Sequence, residues 1–220
     1  MEWDWKTIGK LLPTATEQTL HMVGLATVFT VLIGLPLGVV LYMTSRGGLW
    51  ANRYVNGILG FVVNIGRSLP FIILMIAIIP FTRLVVGTSL GPSAAVVPLS
   101  VGAIPFFARL VETSLREIDR GKIDAAIVMG SSYRQIITKV LVRESLPGII
   151  AGLTTSVIAL ISYSAMAGTI GGGGLGFLAK SRGYDRFQTD VMIATVVVII
   201  IIVQLVQIIG DVLARKLNHR

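Results

Sequence analysis

The sequence predicts an all-α transmembrane protein of five spans, with its amino terminus outside and its carboxyl terminus cytoplasmic. Three observations lead there. Hydrophobic residues make up 54% of the 220 and charged residues only 14%, whereas a soluble domain spends about a quarter of its residues on charge. Mean hydropathy is +0.82. Uncharged runs recur at or above the roughly 20 residues that cross a bilayer. Cysteine is absent, which excludes disulfide scaffolds, thiol catalysis and cysteine metal sites. A net charge of +8 would suggest nucleic acid in a soluble protein. In this chain it fits basic loops facing anionic membrane lipid, and no nucleic-acid partner is expected. Two acids and two tryptophans precede the first apolar run, so no cleavable signal is expected.

The spans follow in order. Residues 19–45 are free of Lys, Arg, Asp and Glu and end at the basic, glycine-rich turn SRGG. The second span, 57–80, is interrupted by GRSLP. The third runs over 92–110. The fourth is expected to start at Pro147, a favourable first-turn position, and to reach 168. The fifth, 191–210, is almost purely aliphatic. With the amino terminus outside, eleven Lys/Arg are cytoplasmic and six outer, while Arg67 and Arg109 fall within spans; that asymmetry sets the orientation. Five short spans without a recognisable internal repeat are few for enclosing a route, which points to a homodimer with the route on its two-fold axis.

Most of the expected cytoplasmic charge lies in one polar segment, about 112–146. Ser114 with Glu117, and Ser132 with Gln135, have capping-box spacing and predict two short helices that turn at Gly130, where a left-handed backbone is free of Cβ strain. Ala125 and Ala126 leave a low surface beside Ile127, Val128 and Met129. Asp124 is placed to pair with Arg120 one turn earlier, a contact of about 0.3–0.5 kcal/mol when exposed. The residues alone leave three readings open: a docking surface, a solvated loop helix, and a helix lying on lipid.

Asp124-Ala125-Ala126, three residues, then Gly130 resembles the EAA loop of bacterial ABC importer permeases, with Asp124 where the first Glu is usual and Arg143 where that loop carries proline. Three longer runs narrow the resemblance: GRSLPFIILMIAIIPFTRLVVGTSLG (66–91), ARLVETSLREID (108–119) and ISYSAMAGTIGGGGLG (161–176) are similar to methionine-importer permeases, and the likeness extends from about residue 12 to 213. The resemblance implies a single type I importer permease domain over 1–220, multi-pass in the bacterial cell membrane. It also implies a second copy of the chain, two ATP-binding subunits and an extracellular or periplasmic methionine-binding protein as partners, with methionine as substrate. ATP and magnesium would belong to the partner ATPase, leaving this chain without a cofactor. Asp124, Ala125, Ala126, Gly130, Ser131, Tyr133 and Arg134 become the expected ATPase-coupling residues.

Polar residues within spans are the other candidates. Arg67 costs roughly 2.5–3.5 kcal/mol near a helix centre on translocon-derived values, beside Pro70, which withholds a donor from Gly66. A kink facing the dimer axis or a wet cavity fits both, as does an Arg buried against carbonyls. Arg109 is expected to snorkel. Met166 is either packing filler or, as the resemblance implies, a constriction at the outer end of the route with Tyr163 and Ser164 beside it. Four successive glycines from Gly171 are poor helix formers and predict an outer loop. The stretch from Gly174 to Ser181 nearly matches a phosphate loop, but it lacks the penultimate glycine and the strand–loop–helix context that motif requires. His21 and His219 are far apart, no catalytic constellation is present, Asp211 is expected to pair with Arg215, and Gln204 and Gln207 share a face of the fifth span. Alternatives are a permease for another small amino acid or osmolyte, and an ATP-independent secondary transporter.

Overall fold

The computed structural model describes residues 5–217, and every regular element among them is helical. Residues 1–4 and 218–220, His219 among them, lie outside the described residues. Helix α1 (Trp5–Thr44) is a single 40-residue helix, about 60 Å long at 1.5 Å per residue. It begins well before residue 19 and continues through Pro13 and Pro36, because neighbouring groups in a membrane bundle can re-satisfy the carbonyl a proline frees. Helix α5 (Pro92–Arg116) packs along it. The two backbones meet at Gly34 and Gly38; a Cβ on Gly38 would lie 2.5 Å from the Ala108 carbonyl oxygen and 2.6 Å from Val111 Cβ. Small residues permit this approach where lipid offers no hydrophobic drive between helices.

Helix α2 (Arg53–Ser68) starts at Asn52, whose side chain accepts from the amides of Tyr54 and Val55 at 3.1 Å each. It stops where the sequence said it would. Leu69 precedes a proline and is extended at φ −78°, ψ 128°, as pre-proline sterics require. Helix α3 (Phe71–Ala77) then leaves at 104° to α2, followed by α4 (Ile79–Val86).

Two expected helix starts are corrected. Ser114 caps nothing: it lies inside α5 and its hydroxyl donates to the Leu110 carbonyl. Val111 and Leu115 extend the buried stripe of α5, so burial carries the helix past residue 110. Asp119 instead caps α6 (Arg120–Val128), accepting from the Gly121 amide at 2.9 Å. Pro147 is likewise not at a first turn. Helix α7 (Tyr133–Gln135) opens with the expected Ser132–Gln135 box and passes through a π turn over Ile136–Leu141 into α8 (Val142–Ala167). Buried Ile136 and Leu141 hold that turn, and Arg143 and Glu144, good helix formers, do not interrupt it.

The glycine run is also not a free loop. Gly171 (φ 101°), Gly173 (φ 80°) and Gly174 (φ 75°) reverse the chain into a short, mostly buried helix α9 (Gly174–Leu178). Gln18 Oε1 and Thr19 Oγ1 of α1 accept from the amides of Gly174 and Leu175 at 2.8 and 2.9 Å. A π turn over Ala179–Tyr184 leads to α10 (Thr189–Leu217). Helices α1, α5 and α10 thus run toward the end of the bundle that carries α6, and α2 and α8 run away from it. Four helical segments among the described residues are long and apolar enough to cross a membrane, and the bent α2–α3 pair brings the number to five if it counts as one span. Two apolar cores stack along the bundle, one around Met22, Phe71, Leu99 and Leu160, the other around Phe107, Leu115, Ile136 and Leu141.

Gly38→Val should force α1 from α5 and destabilise the fold by about 1–3 kcal/mol. A lower midpoint of thermal unfolding in detergent checks this; an unchanged midpoint would mean that the two helices do not meet through Gly38.

Candidate docking turn and membrane gate

Helix α6 sits across one end of the bundle. Ile123 is buried among Ile118, Leu115 and Ile136, so one face of α6 belongs to the core. The opposite side and its tip are bare. Val128 and Met129 are 87% and 84% exposed, and Ile127 is nearly half exposed. Their backbone is nonetheless fixed. Gly130 has φ +75° with open space where a Cβ would point. The Ser131 amide donates to the Ala126 carbonyl at 3.0 Å and the Gly130 amide to Ile127 at 2.9 Å. That paired reach-back is a Schellman termination, which needs the left-handed residue glycine supplies. An apolar tip on a rigid turn is a surface made for contact.

The structure brings Asp124, Ala125, Ala126, Gly130, Ser131, Tyr133 and Arg134 into this one feature. Asp124, Ala125, Gly130, Tyr133 and Arg134 are exposed, and Ala126 and Ser131 half-buried. The Asp124–Arg120 pair does not form. Arg120 reaches the Gly47 carbonyl in the α1–α2 turn instead, at 3.2 Å; a cation N-terminal to its acid is the weaker helical order. Three contacts fasten the feature to its surroundings. Arg120 holds Gly47, Lys122 pairs with Glu144 of α8, and Tyr133 meets Trp50 edge-on with ring centroids 5.8 Å apart.

Behind α6, Glu112 is a carboxylate only 2% exposed. Arg109 Nη1 donates to its Oε2 at 2.6 Å, and Arg116 to its Oε1 through Nη2 at 2.6 Å and Nε at 3.2 Å. Arg109 therefore does not simply snorkel; its second nitrogen donates to Asn64 Oδ1 on α2 at 2.7 Å. Sequence reasoning missed Glu112 and Asn64. The Arg109, Glu112, Arg116 spacing was the available signal, since i, i+3 and i, i+4 neighbours share a helix face. Asp211 accepts from Gln207 at 2.8 Å, replacing the pair expected with Arg215.

Toward the opposite end lie the gate candidates. Tyr163 stacks on Phe71 of the broken helix, centroids 4.5 Å apart and planes within 7°. Ser164 is buried and donates to the Ile161 carbonyl at 2.7 Å. Met166 is 37% exposed in the single chain. Arg67 is exposed, one turn before the break, and pairs with no described residue. An open apolar groove of about 700 Å³ along α1, near Leu12 and His21 and touching Val198 of α10, contains none of these residues. Among the described residues no cluster of His, Asp or Glu could hold a metal ion.

Long apolar helices carrying an ordered polar projection define a multi-pass protein of the membrane. Comparison with known families gives the finer class. The chain belongs to the binding-protein-dependent transport system inner membrane components, matched over residues 34–220. It is 52% identical over 210 residues to a probable D-methionine transport system permease protein MetI of Vibrio cholerae, covering 96% of this chain and 93% of that one. It is 48% identical over 206 residues to the methionine import system permease protein MetP of Bacillus subtilis, covering 94% and 93%. Its fold superposes on a chain of the MetNI methionine ABC transporter in an inward-facing conformation with a TM-score of 0.95 at 44% identity, covering 97% of this chain and 99% of that one.

Ser132→Ala removes the cap of α7 and should cost about 1 kcal/mol locally. Faster amide hydrogen exchange confined to residues 133–136 would report it; unchanged exchange there would mean that the box does not hold this turn.

Proposed function

We propose that the chain is the permease subunit of an ATP-driven methionine importer, that two copies enclose the route, and that the α6 turn docks on a separate ATP-binding subunit. The observation that carries the docking is the rigid, nearly bare Val128–Met129 tip beside Gly130. Methionine rests on identities of 44–52% to methionine systems along almost the whole chain. The charge asymmetry supports a cytoplasmic segment 112–146, an amino terminus outside and a carboxyl terminus inside, with the bent α2–α3 pair counted as one of five spans.

In this reading Asp124, Ala125, Ala126, Gly130, Ser131, Tyr133 and Arg134 form the coupling surface. The two alanines leave room for the partner's backbone, and Arg134 and Asp124 offer charge at its edge. Two ATPase subunits hold ATP and magnesium and close on nucleotide. Their motion reaches this chain through α6, whose contacts with the α1–α2 turn and α8 and buried Ile123 leave it little freedom to swivel alone. At the outer end Met166, with Tyr163 on Phe71 and Ser164 behind, closes the route until that motion separates the copies. A methionine-binding protein outside the cell delivers substrate to the opened mouth, and Arg67 lies further along the route.

Gly130→Leu should insert normally yet lose co-purification of the ATPase or uncouple it, because leucine both strains φ +75° and fills the docking notch. The double variant Val128→Ser, Met129→Ser keeps the backbone and should weaken attachment roughly tenfold or more. Normal complex formation and methionine import in both would sink the docking assignment.

A further inference from the structure

Helix α2 is three-faced. At 3.6 residues per turn, Leu59, Val63 and Gly66 point one way and are the packed side. Val63 is buried against Leu41 and Ala108, and a Cβ on Gly66 would lie 2.8 Å from the Pro105 ring. Ile58, Val62 and Ile65 form a second, exposed apolar face, which suits lipid. The third face holds Arg53, Gly57, Gly60, Asn64, Arg67 and Ser68. No atom lies within 4 Å of where a Cβ on Gly57 or Gly60 would be, and Asn64, Arg67 and Ser68 are exposed. Arg109 reaches this same face through Asn64. The stripe runs from one end of α2 to its break, about 21 Å between Arg53 and Arg67.

Such a face cannot rest on hydrocarbon. Packing it against a second copy is also unfavourable. Where such a face lies on a two-fold axis it meets its own copy, and α2 carries two arginines and no acid to answer them. Water satisfies it, and so does a solute that brings its own negative charge. Building on the permease reading, we infer that the polar face of α2 is a wet wall of the passage and that Arg67 is the transient contact for the carboxylate of the transported amino acid. A guanidinium accepts a carboxylate in two parallel hydrogen bonds. The glycines leave clearance for the rest of the solute, and Asn64 with Arg109 continues the polar track toward the α6 end. Because Arg109 is already bound to Glu112, it competes less strongly for the anion, so the solute is not held there.

The chain has no cysteine of its own, so single cysteines can be read without background. In the assembled complex in membranes, cysteines at Gly57, Gly60 and Ser68 should react with the anionic reagent methanethiosulfonate ethylsulfonate at least tenfold faster than cysteines at Ile58, Val62 and Ile65. Equal or reversed rates would overturn the wet wall. So would an oxidant-induced disulfide between copies at Gly60→Cys, which would show that the face packs on the second copy. For the carboxylate contact, Arg67→Gln should lower maximal methionine import at least tenfold while the ATPase still co-purifies, and Arg67→Lys should recover much of it. Undiminished import in Arg67→Gln would overturn that role. The labelling pattern does not depend on what is carried, so failure of the unaltered complex to import methionine would count against the permease reading alone.

Discussion

At membrane depth a backbone amide has no water to bind, and this fold is organised around satisfying those that helices leave over. Unbroken helices satisfy themselves. Two of the places where the chain departs from helix, the glycine reversal and the α2 break, are therefore where other residues become indispensable. At the glycine reversal, Gln18 and Thr19 of α1 accept the amides of Gly174 and Leu175, and the Gly91 amide donates to the Gly171 carbonyl at 2.9 Å. At the α2 break, the Pro70 carbonyl accepts from the amides of Ile73 and Leu74 at 2.9 and 3.0 Å and restarts the helix at once. Irregular backbone in lipid-spanning proteins is tolerated where protein or a watery cavity surrounds it. Both irregular points lie near Tyr163 and Met166, so the residues proposed as the outer gate sit where the helical rule is relaxed.

The other end follows a different logic. Charges there are numerous, and the buried one is fully answered. Glu112 has both oxygens occupied, and its partner Arg109 binds α2 as well. A buried carboxylate flanked by two guanidiniums fixes geometry more than it adds stability. It stiffens the last turns of α5, from which α6 hangs after three residues. Rigid connection on one side of α6 and ion pairing to α8 on the other tie the projection to two helices that cross the bundle in opposite directions.

Composition and run length made the helical membrane class legible, because lipid selects residues so strongly that patterning is hardly needed. The break at Leu69–Pro70 and the Ser132–Gln135 box were legible for a local reason: one residue's sterics or one side chain's reach decides each. The lengths of α1, α5 and α8 were not, since helices continue past the apolar runs where a buried stripe persists, as at Val111 and Leu115. Charge pairing was the least legible. Arg120 had several acceptors within reach, and only the folded position of the α1–α2 turn made the Gly47 carbonyl the better one. The glycine run was misread because poor helix propensity says nothing about whether a turn is buried. The residues around Gly130 were recognisable as a group, while the fixed, left-handed geometry that presents them emerged from the structure.

The bare tip at Val128 and Met129 has a consequence for the life of the chain before assembly. A newly inserted copy carries an exposed apolar knob on a stiff turn, a patch prone to unwanted association until it is covered. The contact that would drive the mature transporter thus also sets how many unassembled copies a cell can tolerate.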